Sequence, residues 1–380
     1  MSELNWKIGC EIELLAPKGL SRKDLADSIA QANNGLVRRI FYPQSEPSKV
    51  PGTPLFHNLT LGFEVIDKQG NLIAKCVDDL TLQDDLNKSH PPKSGWYRIV
   101  SDDTRLLQLV TCQANPEQSQ TEVLNPIANL FGTCAESGPG GMVRVADNTG
   151  NPIAIAAPLP GERERPCELI TPPINANHLE NLEVILKTAR LLGFTVPVEG
   201  ATHIHFDALP LCSANVFANL VNLFHTYGEN LKGLVGTNPK CGRLGSWDIA
   251  LLNLVNESSF RELSWEEVKT RVAKLELTKY CDFNIKNLIH PTPDKFTFEA
   301  RIFPVWLDSQ PIIEAGALIE AILRYAMTTS EISPTMPLEW NFNSVQKFLK
   351  LLPMSEDVRN MWLSRAASQN NEIQSFSISK

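Results

Sequence analysis

The stretch Glu199-Gly-Ala-Thr-His203-Ile-His205-Phe-Asp207 carries three side chains that can bind metal, spaced two residues apart. Because successive side chains of a β-strand point to opposite faces, His203, His205 and Asp207 would share one face of such a strand. Taken alone, the pattern suggests a zinc site built on a single strand. A complete site needs ligands from neighbouring strands, and those strands decide how the chain folds.

Three other segments combine a strand-like apolar pattern with charged side chains at alternate positions. They are Lys7-Ile-Gly-Cys-Glu11-Ile-Glu13-Leu, Pro166-Cys-Glu168-Leu-Ile and Phe296-Thr-Phe-Glu299-Ala-Arg301-Ile-Phe. Together with the histidine strand they predict a sheet that bears four glutamates, two imidazoles, Asp207 and one guanidinium. Carboxylates on such apolar strands are costly unless a cation neutralises them, so we expect a metal and phosphate site. The alternative is a buried network of ion pairs formed with the arginine and the histidines.

The predicted ligand set favours magnesium or manganese over zinc, because glutamates outnumber imidazoles and no thiolate lies on the same strand face. The chain has no His-Glu-x-x-His motif, and no glutamate follows His205 at the short interval that a cupin requires. It also lacks the glycine-rich phosphate loops Gly-x-x-x-x-Gly-Lys and Gly-x-Gly-x-x-Gly. A nucleotide would therefore be held through metal ions and arginines.

Composition limits the classes of protein that fit. The 380 residues are 43% hydrophobic and carry a formal net charge of -8, which allows a large core and argues against a nucleic-acid partner. The first twenty residues do not resemble a signal peptide, and no apolar run is long enough for a membrane span. The eight cysteines form no Cys-x-x-Cys pair, so we expect reduced, packed thiols. These features predict a soluble, cytoplasmic protein without membrane or nucleic-acid partners.

The order of the segments predicts one catalytic domain over residues 1–330 and a helical C-terminal extension over 331–380 with a polar tail. Between about residues 40 and 160, hairpin patterns around Lys68–Asn71 and over 142–155 indicate a β-rich insertion in that domain. Helices are predicted over residues 21–33, 177–192 and 213–235, and another from Ser264. The charged run Gly161-Glu-Arg-Glu-Arg165 is typical of a solvated loop, with an anion contact as the alternative. We expect residues from Ser368 onward to be disordered.

The motifs in this order resemble the amidoligase family, which is related to glutamate-cysteine ligases and glutamine synthetase. The resemblance rests on Glu11-x-Glu13, Glu168 in Cys-Glu-Leu-Ile-Thr-Pro-Pro, Gly-x-x-His203-x-His205 and Phe-Glu299-x-Arg301, and it runs from about Lys7 to Asp308. It implies an α+β, glutamine-synthetase-like fold: an antiparallel sheet with helices on its outer side and an open concave face that holds ATP and two or three magnesium ions.

The resemblance also implies roles for individual residues. The metal ligands would be Glu11, Glu13, Glu168, His203 and Glu299. Arg301 would contact the γ-phosphate of ATP. His205 would be a ligand or a substrate contact, and Asp207 would have a supporting role. Further candidates for binding phosphate or substrate are Arg243, Lys279, Tyr280 and Asn284.

The expected activity is that of an ATP-dependent carboxylate-amine ligase. ATP would convert a small-molecule or peptide carboxylate to an acyl phosphate, and an amine would then form an amide or peptide bond. Three alternatives stay open on the sequence: a phosphotransferase on the same fold, a non-catalytic protein that binds metal or nucleotide, and a metal-dependent hydrolase. Glu299-x-Arg301 has no obvious task in a hydrolase. The identities of both substrates are not encoded in these motifs.

Overall fold

A computed structural model describes residues 4–47 and 55–378 of the chain. The strands are β1 (Ile8–Leu15), β2 (Leu36–Pro47), β3 (Leu55–Ile66), β4 (Leu72–Val77), β5 (Tyr97–Val100), β6 (Glu136–Ser137), β7 (Val143–Ala146), β8 (Pro152–Pro158), β9 (Pro166–Ile170), β10 (Thr202–Asp207), β11 (Phe283–Asn284) and β12 (Thr297–Phe303). The α-helices are α1 (Arg22–Ala32), α2 (Thr104–Gln113), α3 (Asn125–Leu130), α4 (His178–Leu191), α5 (Ala214–Val235), α6 (Ile249–Val255), α7 (Trp265–Val272), α8 (Lys286–Ile289), α9 (Ser309–Thr328), α10 (Phe342–Leu351) and α11 (Glu356–Ile378). The fold is α+β, and its strands pair antiparallel.

The chain divides into two compact units. The first contains residues 4–11, 173–183 and 199–378, and the second contains residues 12–47, 55–172 and 184–198. The division runs through β1, so that Glu11 is the last residue of the first unit along that strand.

In the first unit, the strand order is β11, β12, β10 and the first half of β1. Aromatic side chains from β11 and β12 pack against helix α5. The ring of Phe224 in α5 lies 4.0 Å from that of Phe283 and 5.2 Å from that of Phe298, and Phe298 also contacts Phe206 of β10. Since side chains alternate along a strand, the even-numbered residues of β10 and β12 face the helix. Residues 203, 205, 299 and 301 therefore lie on the opposite face.

Helix α5 carries three buried asparagines, Asn219, Asn222 and Asn230, that hold the segment between α9 and α10. Their Nδ2 groups donate to the backbone carbonyls of Ala326, Thr329, Ile332 and Leu338 at 2.8–3.0 Å. The Oδ1 atom of Asn219 accepts a hydrogen bond from the backbone N–H of Ile332, and that of Asn230 accepts one from the backbone N–H of Asn341. These two amides therefore bind both carbonyl and N–H groups of the backbone. The amides thus satisfy polar groups that an irregular segment leaves unpaired.

In the second unit, the strands follow the order β9, β4, β3, β5, β8, β7 and β6, with β2 paired along β3. The hairpins predicted around residues 68–71 and within 142–155 are present as β3–β4 and β7–β8. In each turn an aspartate, Asp67 or Asp147, accepts backbone N–H groups two and four residues ahead. The strand pairing confirms the hairpin prediction, and the aspartates explain how the tight turns are stabilised.

The charged run Gly161–Arg165 is buried, so the prediction of a solvated loop is wrong. Arg163 donates to the Asp78 carboxylate at 2.9 Å and to two backbone carbonyls. Arg165 donates to Glu162 at 2.7 Å and to the carbonyl of Ala16 at 2.9 Å. Neither guanidinium needs an external anion, because Asp78 neutralises Arg163 from 85 residues away and Glu162 neutralises Arg165 from within the run.

The predicted helices are present, and they begin next to their expected caps. In α1, the carboxylate of Asp24 accepts the backbone N–H of Ser21 at 2.8 Å, and in α7 Glu267 and Ser264 form the same arrangement. The expected disorder from Ser368 is not found up to Ile378, where α11 ends; residues 379–380 lie outside the described residues. Within residues 4–47 and 55–378, no helix combines the length and the apolar character needed to cross a membrane.

Candidate metal and phosphate site

Three strands of the first unit bring buried carboxylates and imidazoles together on the face opposite α5. Nδ1 of His203 lies 3.4 Å from Oε2 of Glu11 and 3.7 Å from Oε1 of Glu299. Nε2 of His205 lies 3.2 Å from Oε1 of Glu11 and 3.8 Å from Oε1 of Glu299. Ligand atoms of Glu11, His203 and Glu299 all lie within 4.8 Å of one another. This spacing would let one ion contact all three after small side-chain movements.

The strand pairing explains why these residues meet. His205 of β10 is directly opposite Glu299 of β12, and Asn284 of β11 is opposite Glu299 on the other side. The β10–β12 register shifts between Thr202 and Ile204, where β12 contains one more residue than β10, so His203 lies opposite a β-bulge at residues 301 and 302. Bulges redirect individual side chains, and this one includes Arg301.

Two cations already contact the carboxylates. Arg301 donates from its Nη1 to Oε1 of Glu299 at 2.6 Å, and Nζ of Lys295 lies 2.6 Å from Oε1 of Glu11. Asn284 donates to the second oxygen of Glu299 at 2.7 Å, which fixes that carboxylate from the opposite side. The predicted candidates Arg301 and Asn284 are therefore in the site.

Lys295 and Thr297 were missed by the sequence argument. Oγ1 of Thr297 lies 3.0 Å from Nδ1 of His205 and holds that ring. A signal existed for Thr297, because residues 297, 299 and 301 have the same parity along β12 and so share a face.

The electrostatics leave charged carboxylates and a neutral His203 at neutral pH. Burial lowers the pKa of His203 to about 4, and the charge of Arg301 adds to this effect. Burial alone would raise the pKa of Glu299, but Arg301 and the two histidines outweigh it and hold the pKa at about 2. The pKa of Glu11 is also held well below its usual range against the effect of burial, first by Lys295 and then by the histidines. Ionised carboxylates and neutral imidazole are the forms that bind metal ions.

The residues fit a divalent cation better than they fit a closed network of ion pairs. Arg301 and Lys295 balance the charges of Glu299 and Glu11, as the network alternative requires. The network does not account for Nε2 of His205, which is buried and forms no aligned hydrogen bond with any described residue. Burial of a ring nitrogen without an aligned hydrogen bond costs free energy, and a metal ion that coordinates the lone pair of the neutral imidazole would satisfy this nitrogen.

The remaining predicted residues belong to the second unit or have structural contacts. Glu13 is fully buried on β1 and Glu168 is half-buried on β9; both belong to the second unit, and their role as ligands stays a prediction. Asp207 lies at the end of β10, where Lys7 approaches its carboxylate at 3.5 Å and Trp6 donates to its carbonyl. Such contacts suit a supporting residue.

The three loop candidates for phosphate or substrate binding also keep the status of predictions. Arg243 donates to the carbonyl of Glu199 at 3.2 Å. The ammonium of Lys279 lies 5.4 Å from the centre of the Tyr280 ring, which is a cation–π distance.

Buried cysteines next to the glutamates are packing residues, as expected. Cys10 precedes Glu11 and is 1% exposed, and burial raises the pKa of its thiol to about 12. A thiol of this kind is neither a nucleophile nor a metal ligand at neutral pH. The eight cysteines are all free thiols.

Comparison with known proteins gives one family. No curated protein matches the chain. The family model described as putative amidoligase enzyme matches residues 4–323, a span that contains all the residues of the site. The chain thus belongs to the amidoligase family, whose activity is of the ligase type.

Proposed function

We propose that this protein is an ATP-dependent carboxylate-amine ligase that forms an amide or peptide bond through an acyl phosphate. The observation that carries the proposal is the convergence of Glu11, His203 and Glu299, beside Arg301, in a member of the amidoligase family. The finer architecture belongs to the same proposal: a glutamine-synthetase-like sheet with an open concave face over this cluster.

Glu11, His203 and Glu299 would hold a magnesium or manganese ion, with His205 as a further ligand or a substrate contact. Carboxylate oxygens suit these hard ions, and one imidazole is compatible with manganese. Glu13 and Glu168 are proposed as ligands of additional ions. When bound, the ions would neutralise charge on the phosphates of ATP.

The chain's own residues would orient the reactants. Nη1 of Arg301 donates a hydrogen bond to Glu299, and we propose that the other N–H groups of this planar guanidinium bind the γ-phosphate. Asn284 and Thr297 hold Glu299 and His205 in place from outside the cluster. Arg243, Lys279 and Tyr280 are proposed to bind phosphate or substrate from loops.

The chemistry needs no covalent residue on the protein. An oxygen of the substrate carboxylate attacks the γ-phosphorus of ATP, and the bond to the bridging oxygen breaks so that ADP leaves. The amine nitrogen then attacks the carbonyl carbon of the acyl phosphate, phosphate leaves with the bonding pair, and the nitrogen gives up a proton. Activation is necessary because a free carboxylate has only oxide or hydroxide as its leaving group.

The direct test incubates the purified protein with ATP, magnesium and mixtures of candidate acids and amines. A ligase would give a new product of amide mass together with equal amounts of ADP and phosphate. A phosphorylated acceptor without free phosphate would favour the phosphotransferase alternative. Binding of ATP and magnesium with no substrate-stimulated phosphate release would favour a non-catalytic protein.

A further inference from the structure

Lys295 lies on an exposed turn before β12, yet its side chain ends at a buried carboxylate. The turn is closed by backbone hydrogen bonds between Thr292 and Lys295 in both directions, at 3.0 Å and 3.1 Å. The side chain of Lys295 is 43% exposed, while that of Glu11 is 9% exposed. The lysine therefore reaches into the cluster from solvent, and its ammonium can leave without disturbing a packed core.

The ammonium contacts the carboxylate that a metal ion would use. Nζ of Lys295 lies 2.6 Å from Oε1 of Glu11, and the other oxygen of the same carboxylate, Oε2, lies 3.4 Å from Nδ1 of His203. A divalent ion held by Glu11, His203 and Glu299 would weaken the lysine contact, because two cations would then share one carboxylate and repel each other. Lysine suits such an exchange, since its charge is compact and its four-carbon stem is flexible.

The net charge of the cluster becomes positive when an ion binds. Glu11 and Glu299 carry two negative charges, and Lys295 and Arg301 carry two positive charges, so these four side chains are balanced without an ion. A divalent ion adds two positive charges and releases the ammonium at the rim. The loaded cluster then attracts an anion, and the released ammonium is placed to contact it.

We infer that Lys295 is a displaceable counter-cation that couples metal binding to polyphosphate binding. It opposes the binding of free metal by holding Glu11, and it favours metal that arrives with a polyphosphate to which the ammonium can turn. The inference rests on the proposed function, since it assumes a metal and a nucleotide in this cluster. Such coupling is reciprocal, so polyphosphate and metal each raise the affinity for the other.

The experiment titrates the full chain with Mn²⁺ by calorimetry, first alone and then with saturating inorganic tripolyphosphate. The variants are Lys295→Met, which keeps the stem and removes the charge, and Lys295→Arg, which keeps the charge. The control is Lys286→Met, because Lys286 is an exposed lysine on the neighbouring helix α8. A thermal melt without metal shows whether each variant is folded.

Lys295→Met should bind Mn²⁺ about tenfold more tightly than wild type in the absence of tripolyphosphate, because a charge-assisted contact no longer competes. The factor by which tripolyphosphate raises the Mn²⁺ affinity should be about fivefold or more smaller in this variant than in wild type. Lys295→Arg and Lys286→Met should stay close to wild type in both measurements.

Two results would contradict the inference about Lys295 and leave the proposed function standing. The first is wild-type protein that binds Mn²⁺ no more weakly than folded Lys295→Met. The second is a variant in which tripolyphosphate raises the Mn²⁺ affinity as much as it does in wild type. If neither protein binds Mn²⁺, the metal site of the proposed function fails as well. The two failures are therefore distinguishable by whether the wild-type protein binds the ion.

Discussion

Arg301 has two tasks in the same cluster, and they can be separated. Its guanidinium neutralises the buried Glu299, and in the proposed reaction it also binds the transferring phosphoryl group. Both side chains are less than a tenth exposed, so losing one partner leaves a buried charge, which costs about 3–5 kcal/mol. An alanine substitution would therefore affect folding as well as turnover.

We expect Arg301→Ala to lower ligase turnover about 10³-fold and to lower the melting temperature. Arg301→Lys should keep the melting temperature near that of wild type, because the charge beside Glu299 remains, but it should still lose most turnover because the planar fork is gone. The measurements are initial rates of ADP release and thermal melts, with the half-exposed Arg271→Ala as control. Wild-type turnover in a folded Arg301→Lys protein would contradict the phosphate role.

Asn284 is expected to act through Glu299. Its Nδ2 donates to one carboxylate oxygen, while its Oδ1 accepts the backbone N–H of Lys286 at 2.8 Å, so the amide is held at both ends. Residues that hydrogen-bond to a metal ligand without binding the ion themselves typically affect metal affinity about 10- to 100-fold. Asn284→Ala should therefore weaken Mn²⁺ binding by about that factor in a calorimetric titration. It should also lower the melting temperature of the metal-free protein, because the buried Glu299 carboxylate and the Lys286 N–H each lose a hydrogen bond. Unchanged affinity would show that Glu299 is fixed by other contacts.

At the scale of elements, β2, β3 and β4 are joined by one charged triplet. Glu64 of β3 is directly opposite Arg38 of β2 on one side and Lys75 of β4 on the other, and its carboxylate contacts both. Cross-strand pairs of opposite charge stabilise a sheet by about 0.2–1 kcal/mol each. The triplet should therefore support the register of three strands.

The pH dependence of this triplet has a definite sign. Burial would raise the pKa of Glu64, but hydrogen bonds and charge from Arg38 and Lys75 lower it below its ordinary value. A lowered folded-state pKa stabilises the protein above the unfolded value of about 4.3, and this stability is lost as pH falls through the folded value.

Glu64→Gln should thus lower the free energy of unfolding by about 1 kcal/mol at pH 7, and the difference from wild type should shrink as the pH falls below about 4. The check is urea denaturation of both proteins at several pH values. Glu136→Gln is a suitable control, because the ion pair of Glu136 with Arg144 is more than half exposed on both sides. A difference that stays constant with pH would mean that packing, not charge, is responsible.

Periodicity predicted the elements and their inward faces. The period of two placed His203, His205, Glu299 and Arg301 on one face, and cap patterns placed helices at Ser21 and Ser264. What could not be predicted depends on partners far apart along the chain. Asp78 lies 85 residues before Arg163, so nothing local indicates that the charged run around Arg163 is buried. Lys295 was missed for a related reason, since an exposed turn gives no sign that its side chain reaches inward.

At the scale of the whole molecule, the fold extends beyond the family match. That match ends at residue 323, whereas Asn219, Asn222 and Asn230 bind backbone from residue 326 onward. Trp362 of α11 is fully buried, so the C-terminal helices also contribute apolar packing. Residues 331–370 therefore belong to the stable structure of the first unit.

A fragment that ends at residue 330 should be insoluble or should melt far below the full chain. It leaves buried amides without partners, at about 1–3 kcal/mol each, and it loses the packing of Trp362. A fragment that ends at residue 370 keeps these contacts and serves as the control. Comparison of soluble yield and melting temperature tests the prediction, which would be wrong if the shorter fragment melted within about 2 °C of the full chain.

The asparagines of α5 have a consequence for how this protein can evolve. They bind the backbone between α9 and α10 and make no demand on its side chains, apart from excluding proline at positions 332 and 341, where an N–H donates. Related sequences should therefore keep the three asparagines while the segment varies more, except at Thr335, whose hydroxyl pairs with that of Thr226, and at Trp340, whose ring packs against Gly233. An alignment would show such a segment as dispensable, although its path across α5 is fixed.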